Sequence, residues 1–138
     1  MIDEKVDDLF KEEFMNISLG NLSRYSAAFI FLPSALSDNK WLLSSFFVYS
    51  FMGAYFEHKG RKGFKIDFSD YILKEDVDGE LNKASGFSYG AGVCGSLAYL
   101  AEMPLFGIMS LFAVGIAYHY QSQSKDILVK NKLKKLYK

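Results

Sequence analysis

Uncharged, largely apolar stretches alternate along this chain with clusters that hold nearly all of the charge. Four stretches can be marked, and they run from Tyr25 to Ser37, from Trp41 to Phe56, from Ala84 to Ala101 and from Met103 to Ser124. A helix rises about 1.5 Å per residue, so roughly 20 residues cross a hydrocarbon layer of about 30 Å. The last two stretches qualify on that criterion and the first two are short. The pattern predicts an all-α integral membrane protein with about four transmembrane helices in two hairpins.

The first stretch is the shortest of the four. It reaches a spanning length only if its helix begins near Ile17 and Arg24 extends its charged group toward the membrane interface. Arg24 also interrupts an otherwise apolar region, and Glu102 does the same between the last two stretches. Both residues are therefore candidates for partner binding, although the expected topology places them toward opposite faces.

The distribution of basic residues predicts the orientation. Of the sixteen lysines and arginines, Lys40 alone falls in the two expected outer turns, 37–40 and 102–104. Lysine and arginine near membrane spans accumulate on the cytoplasmic side. The sequence thus predicts a multi-pass membrane protein with both termini in the cytoplasm.

The length of 138 residues fits one domain. The expected segments are an amphipathic cytoplasmic helix (1–19), a first hairpin (20–57), a cytoplasmic loop (58–83), a second hairpin (84–120) and a basic cytoplasmic tail (121–138). The first segment places apolar residues at helical spacing, namely Val6, Leu9, Phe10, Phe14 and Ile17. Its acidic start is unlike a cleavable signal peptide. No convincing repeat is apparent, although the two hairpins invite comparison.

A soluble helical protein with long buried helices is the alternative. It is favoured by the serines in the stretch from Trp41 to Phe56, which is short enough for a core helix. Against it stands the segment 84–124, which has no polar face at helical spacing and is broken only by Glu102 and Pro104. A chain this small has little core in which to bury such a segment.

The second hairpin has features that predict its turn and its packing. Pro104 fits the first turn of a new helix, so a tight turn is expected beside it. Small residues recur before that turn and would let this helix approach a neighbour closely, in the same chain or in a homo-oligomer. The helix-packing candidates are Gly86, Gly90, Gly92 and Ser96.

Catalytic, metal and cofactor chemistry is not predicted. Cys94 is the single cysteine and His58 and His119 the two histidines, too few soft ligands for a zinc site. The segment 86–90 has the outline of a nucleophile elbow, but that motif needs a strand-to-helix turn. Pairing Ser88 with His119 as an intramembrane protease is disfavoured by their different expected depths. We therefore predict no enzyme and no cofactor.

The net charge of the chain is zero. Nucleic-acid binding needs an exposed basic face with base-reading or aromatic groups, which the sequence does not offer, so no nucleic-acid partner is expected. The tail 125–138 carries six lysines among apolar residues, a composition suited to an anionic lipid surface. Membrane lipid and a membrane-inserted protein are the expected partners.

The second hairpin resembles the membrane-embedded immunity proteins that protect bacteria from their own pore-forming colicins. The resemblance is carried by Leu81-Asn82-Lys83-Ala84 before a span, by Ala101-Glu102-Met103-Pro104-Leu105-Phe106-Gly107 and by Leu111-Phe112. It covers about the last 60 residues of the chain. It implies a small, multi-pass protein of the bacterial inner membrane that binds the channel domain of an incoming toxin before the pore opens.

These observations predict a non-enzymatic protein that acts by helix–helix interaction in the bilayer, with bacteriocin immunity first. The alternatives are a small structural subunit of a multiprotein membrane assembly, such as a secretion or conjugation apparatus, or an entry-exclusion protein. Immunity should depend on the spans and outer turns, whereas an assembly subunit should depend on Phe64 to Leu73 or on the segment 1–19. The expected partner-binding residues are Arg24, Trp41, Glu102, Pro104 and Phe106.

Overall fold

A computed structural model of the chain describes residues 10–65 and 71–137. Four helices make up nearly all of this part: α1 (Lys11–Leu36), α2 (Lys40–Lys65), α3 (Tyr71–Leu100) and α4 (Pro104–Leu136). The expected all-α fold with two helical hairpins is confirmed.

The expectation of an integral membrane protein with four transmembrane helices is wrong. Among the helices built from residues 10–65 and 71–137, none is both long enough and apolar enough to cross a membrane. The physical reason is that each helix continues from an apolar half into a half rich in charged and amide side chains. Length alone does not make a span, because a spanning segment needs about 20 predominantly apolar residues.

The helices run through segments that were expected to be separate. Residues 11–19 of the amphipathic segment and the first apolar stretch form one continuous helix, α1, and the basic tail up to Leu136 belongs to α4. The expected loop 58–83 is helical at both ends, because α2 continues to Lys65 and α3 begins at Tyr71. Val6 and Leu9 of the amphipathic pattern lie outside the described residues, as do residues 66–70.

Both hairpin turns are short and locally stabilised. The Asn39 side-chain oxygen accepts a hydrogen bond of 3.0 Å from the backbone N–H of Trp41, which caps the start of α2. In the second turn Glu102 has a left-handed backbone with φ of 52°, and Pro104 is the first residue of α4, as the sequence predicted. The left-handed residue reverses the chain, and the proline starts the next helix without needing an N–H partner.

The two hairpins pack side by side through their first helices. α1 packs against α2 and α3, and α4 packs against α3. Gly92 lies against Tyr25 and Gly95 against Phe29, so α1 and α3 run parallel. The central pair α1/α3 is therefore flanked by α2 on one side and α4 on the other.

The two hairpins repeat each other at a fixed offset, here called the hairpin offset. α1 ends at Leu36 and α3 at Leu100, while α2 begins at Lys40 and α4 at Pro104, so the same spacing along the chain separates both pairs. The sequence comparison alone did not establish this repeat, because few side chains are identical. Small residues nonetheless recur at the hairpin offset, as at Ala27 and Ala91.

The two ends of the bundle differ in composition. A cluster of buried apolar side chains, the base cluster, consists of Phe10, Phe14, Ile17, Val77, Leu81 and Leu128. The opposite end, which carries the turns 37–39 and 101–103, exposes many large apolar side chains and is called the apolar end. Trp41 is 83% exposed there, Phe51 76%, Leu111 74% and Phe112 69%.

Candidate functional site

A network of charged side chains lies between the base cluster and the apolar end. Glu57 of α2 forms ion pairs with Arg24 of α1 and with Arg61, one turn further along α2, the latter at 2.5 Å. Arg61 also donates hydrogen bonds to the Asp78 carboxylate at 3.2 Å and to the Asn82 side-chain oxygen at 2.8 Å, both on α3. One carboxylate thus bridges two guanidinium groups, and the network joins three helices.

Glycines explain how Arg24 reaches this network. A Cβ atom on Gly20 would lie 3.2 Å from the backbone of both Gly53 and Glu57, so α1 and α2 approach closely there. The Arg24 side chain passes over Gly53, where a Cβ atom would be 3.1 Å from its Cγ. The guanidinium then meets Glu57 and donates a hydrogen bond to the Ser85 hydroxyl of α3.

Burial sets the electrostatics of the two arginines. It lowers the pKa of Arg24 from its ordinary value, and the nearby Tyr89 opposes that shift. Burial likewise lowers the pKa of Arg61, opposed by Asp78. Both guanidinium groups therefore carry their charge with less solvent than a surface arginine has, and hydrogen-bond acceptors compensate for the lost hydration.

The network borders an open groove of about 550 Å³ between α2 and α3, the first groove. Arg24 lies between its walls. It is lined by Arg24, Ala54, Glu57, His58, Arg61, Asn82, Ser85, Gly86 and Tyr89.

A second groove, of about 270 Å³, lies between α1 and α4. Its polar centre is Gln121, which donates a hydrogen bond of 2.6 Å to the Ser18 hydroxyl and accepts one of 3.1 Å from Asn21. It is lined by Ser18, Asn21, Leu22, Tyr25, Ser88, Val114, Ala117, Tyr118 and Gln121.

The hairpin offset relates the two grooves to each other. Most residues of the first groove have their counterparts in the lining of the second. The pairs are Arg24 with Ser88, Ala54 with Tyr118, Glu57 with Gln121, Asn82 with Ser18, Ser85 with Asn21, Gly86 with Leu22 and Tyr89 with Tyr25. The same positions therefore build a charged groove on one side of the α1/α3 pair and a neutral groove on the other.

The four helix-packing candidates fall into two pairs. Gly92 lies against the α1 backbone, and Ser96 is fully buried. Gly86 and Gly90 have no neighbour within 4 Å of the position where a Cβ atom would stand. Of the four candidates, Gly92 and Ser96 lie on the face of α3 that packs against α1, and Gly86 and Gly90 do not.

The five partner-binding candidates are not brought together. Trp41, Glu102, Pro104 and Phe106 lie at the apolar end near the turns, and Phe106 is half-buried there. Arg24 lies further down the bundle in the charged network. The sequence interpretation treated Arg24 as a group reaching for the membrane interface, whereas its charge is neutralised inside the bundle by Glu57.

Glu57, Arg61 and Gln121 are site residues that were not among the predicted partner-binding residues. The register of the first hairpin could have indicated the Arg24–Glu57 pair. A turn centred near Asp38 places Arg24 opposite Gly53, and Glu57 lies one turn beyond Gly53 on the same face.

Ser88 and His119, the residues considered for catalysis, do not differ in depth as expected, because the neighbouring Phe87 and Tyr120 stack with ring centroids 5.7 Å apart. They nonetheless have separate partners. The Ser88 hydroxyl donates to the Ala84 carbonyl at 2.9 Å, within its own helix. His119 is exposed on α4, with its ring 5.9 Å from that of Tyr120. Across residues 10–65 and 71–137, no group of three or more histidine, cysteine or acidic residues is placed to hold a metal ion.

No protein-family model matches the chain, and neither the curated proteins nor the solved structures compared with it show a match.

Proposed function

We propose that this protein acts without catalysis at the bacterial inner membrane, by binding an apolar helix of a membrane-inserted protein through its apolar end. The observation that carries the proposal is the set of large apolar side chains exposed around both turns, among them Trp41 and Phe112. An exposed apolar patch of this kind marks an interaction surface, because leaving it in water is unfavourable.

Serine side chains in this region support the same reading. The hydroxyls of Ser44, Ser45 and Ser50 donate to backbone carbonyls four residues earlier, each at 2.8 Å. These hydroxyls are therefore satisfied within α2 and do not require water. The surface of α2 presented to a partner is more apolar than its sequence suggests.

The partner proposed is a pore-forming bacteriocin, which makes the chain an immunity protein. A subunit of a secretion or conjugation apparatus was expected to dock through the segment 1–19 or through Phe64 to Leu73. Phe14 and Ile17 from the first of these segments are buried in the base cluster and are not free to dock. The exposed apolar surface lies instead around the turns, where an immunity protein was expected to act.

A challenge assay tests this proposal. Sensitive cells expressing the chain are exposed to a panel of pore-forming bacteriocins and to a nuclease bacteriocin that uses the same receptor. We expect protection from a pore-forming member and none from the nuclease. Protection from the nuclease as well would indicate blocked uptake, and protection from neither would overturn the immunity function.

A matched pair of variants locates the surface. Trp41→Ser combined with Phe112→Ser removes two exposed side chains from the apolar end and should abolish protection. Met15→Ser removes an exposed apolar side chain near the base cluster and should leave protection unchanged. Equal loss in both would show that the apolar end is not the binding surface.

A further inference from the structure

The two grooves differ in volume, and two equivalent positions in their linings differ in side-chain size. Tyr118 and Leu22 stand at the second groove, and their counterparts at the first groove are Ala54 and Gly86. The first groove has about 550 Å³ and the second about 270 Å³. A Cβ atom on Gly86 would meet nothing within 4 Å, so small residues keep this wall open.

The first groove also differs from the second in charge. Arg24, Arg61 and His58 line it together with a single carboxylate, Glu57. The second groove has the uncharged Ser88 and Gln121 where the first has Arg24 and Glu57. Asp78 pairs with Arg61 from outside this lining, so two carboxylates match the two guanidinium groups. The first groove would therefore recognise an anionic ligand by hydrogen bonds from its guanidinium groups, which the second groove lacks.

The Arg61 side chain has unused capacity to donate. Its Nε atom is buried and has no hydrogen-bond partner. A guanidinium presents its donors in a planar fork that matches a carboxylate or phosphate. An anion bound beside Arg61 in the groove would give the Nε–H group an acceptor, which it otherwise lacks.

An apolar path leads from the charged network toward the apolar end. Phe51 precedes Ala54 by three residues on α2, and Val93 follows Gly86 by seven on α3, so helical spacing places both on the groove side. Both side chains are exposed. A ligand whose charged group lies at the arginines can therefore extend an alkyl chain along the seam between α2 and α3.

We propose that the first groove binds an anionic amphiphile, with a phosphate or carboxylate headgroup at Arg24 and Arg61 and an alkyl chain lying toward Phe51 and Val93. The headgroup site at the arginines is separate from the apolar end, which only the alkyl chain reaches at Phe51, and the occupant is a small molecule rather than a protein helix.

Isothermal titration calorimetry on the full chain tests the ligand class with three probes. Monomeric dihexanoylphosphatidylglycerol carries the anionic headgroup and the chains, dihexanoylphosphatidylcholine has the same chains with a zwitterionic headgroup, and inorganic phosphate has no chain. We expect the first probe to bind at least about tenfold more tightly than either of the others. Equal binding of the zwitterionic probe would overturn the role of headgroup charge, and equal binding of phosphate would overturn the role of the chain.

A pair of variants tests the location. Ala54→Tyr with Gly86→Leu gives the first groove the larger side chains that line the second groove at the equivalent positions. This variant should no longer bind dihexanoylphosphatidylglycerol. The thermal midpoint should not fall, because both positions are exposed. Tyr118→Ala with Leu22→Ala widens the uncharged second groove and should leave binding unchanged. Undiminished binding in the filled variant, or loss in the widened one, would overturn the assignment.

Discussion

Gly92 of α3 lies directly against the backbone of Tyr25 in α1, in a contact that leaves no room for a side chain. A Cβ atom at this position would also stand 2.7 Å from the Cβ of Ala28 and 3.1 Å from the backbone nitrogen of Phe29. The obstacle is largely backbone, which cannot move aside as a flexible side chain can. This contact fixes how closely the two hairpins approach.

Gly92→Ala should therefore destabilise the protein. Overpacking costs up to about 3 kcal/mol and the better helix propensity of alanine returns about 1 kcal/mol, which leaves a net loss of about 2 kcal/mol. Urea unfolding followed by circular dichroism measures the change. Gly90→Ala is the matched control in the same helix, and because its surroundings are open it should stabilise by about 1 kcal/mol. Equal effects at the two glycines would contradict the close α1/α3 contact.

The Arg24–Glu57 ion pair should show energetic coupling. Glu57→Gln leaves two largely buried guanidinium groups without the carboxylate between them and should cost about 2 kcal/mol, less than a fully buried pair would. Arg24→Ser with Glu57→Gln removes one of the two positive groups together with the negative one. The double variant should cost at least about 1 kcal/mol less than the two single changes added together.

Lys83→Ala provides the control for that cycle. Lys83 pairs with Glu80 at 3.0 Å within one turn of α3, and its side chain is mostly exposed. Its removal should leave the midpoint of urea unfolding nearly unchanged, because an exposed ion pair of this kind contributes little to stability. Strict additivity in the Arg24 and Glu57 cycle would mean that the pair contributes no interaction energy.

Two buried serines should respond in opposite directions to replacement by alanine. The Ser96 hydroxyl is fully buried with no hydrogen-bond partner, so Ser96→Ala should stabilise by about 1 kcal/mol. The Ser110 hydroxyl donates to the Ala91 carbonyl across the α3/α4 contact at 2.8 Å, and Ser110→Ala should destabilise by about 1 kcal/mol. Thermal midpoints of the two variants, measured side by side, provide the comparison. A lower thermal midpoint in both variants would show that the Ser96 hydroxyl has a hydrogen-bond partner.

Trp41 reports on the apolar end because it is the single tryptophan in the chain. Its indole is almost fully exposed, and burial of this group in lipid or against a partner is favourable. Adding phospholipid vesicles should shift its fluorescence emission toward shorter wavelength. A tryptophan moved to position 15, as Met15→Trp with Trp41→Phe, should show no shift. An unshifted Trp41 would argue against lipid contact at the apolar end.

The sequence predicted the hairpins more accurately than it predicted their environment. Pro104 and the charged residues around both turns predicted where the helices would break, and the helices end and begin within a few residues of those points. The charge clusters were taken as boundaries between spans and loops. They instead lie within long helices, where Glu57 pairs with Arg24 of α1 and Arg61 pairs with Asp78 of α3.

The candidate site was harder to predict because its residues are distant in sequence and meet only through the packing of three helices. Arg24 and Ser85 are 61 residues apart, and Asn21 and Gln121 are 100 apart. The relation between the grooves was also hidden, because it preserves positions rather than residue types. The hairpin offset can be recognised only once the ends of the four helices are known from the structure.

Arg61 links α2 to α3 across the open side of the first groove through its bonds to Asp78 and Asn82. α2 otherwise packs chiefly against α1. Breaking these two hydrogen bonds would leave α2 attached to the bundle chiefly through α1. The distance between α2 and α3, and with it the volume of the first groove, therefore depends on Arg61, whereas the packing of α1 with α3 does not.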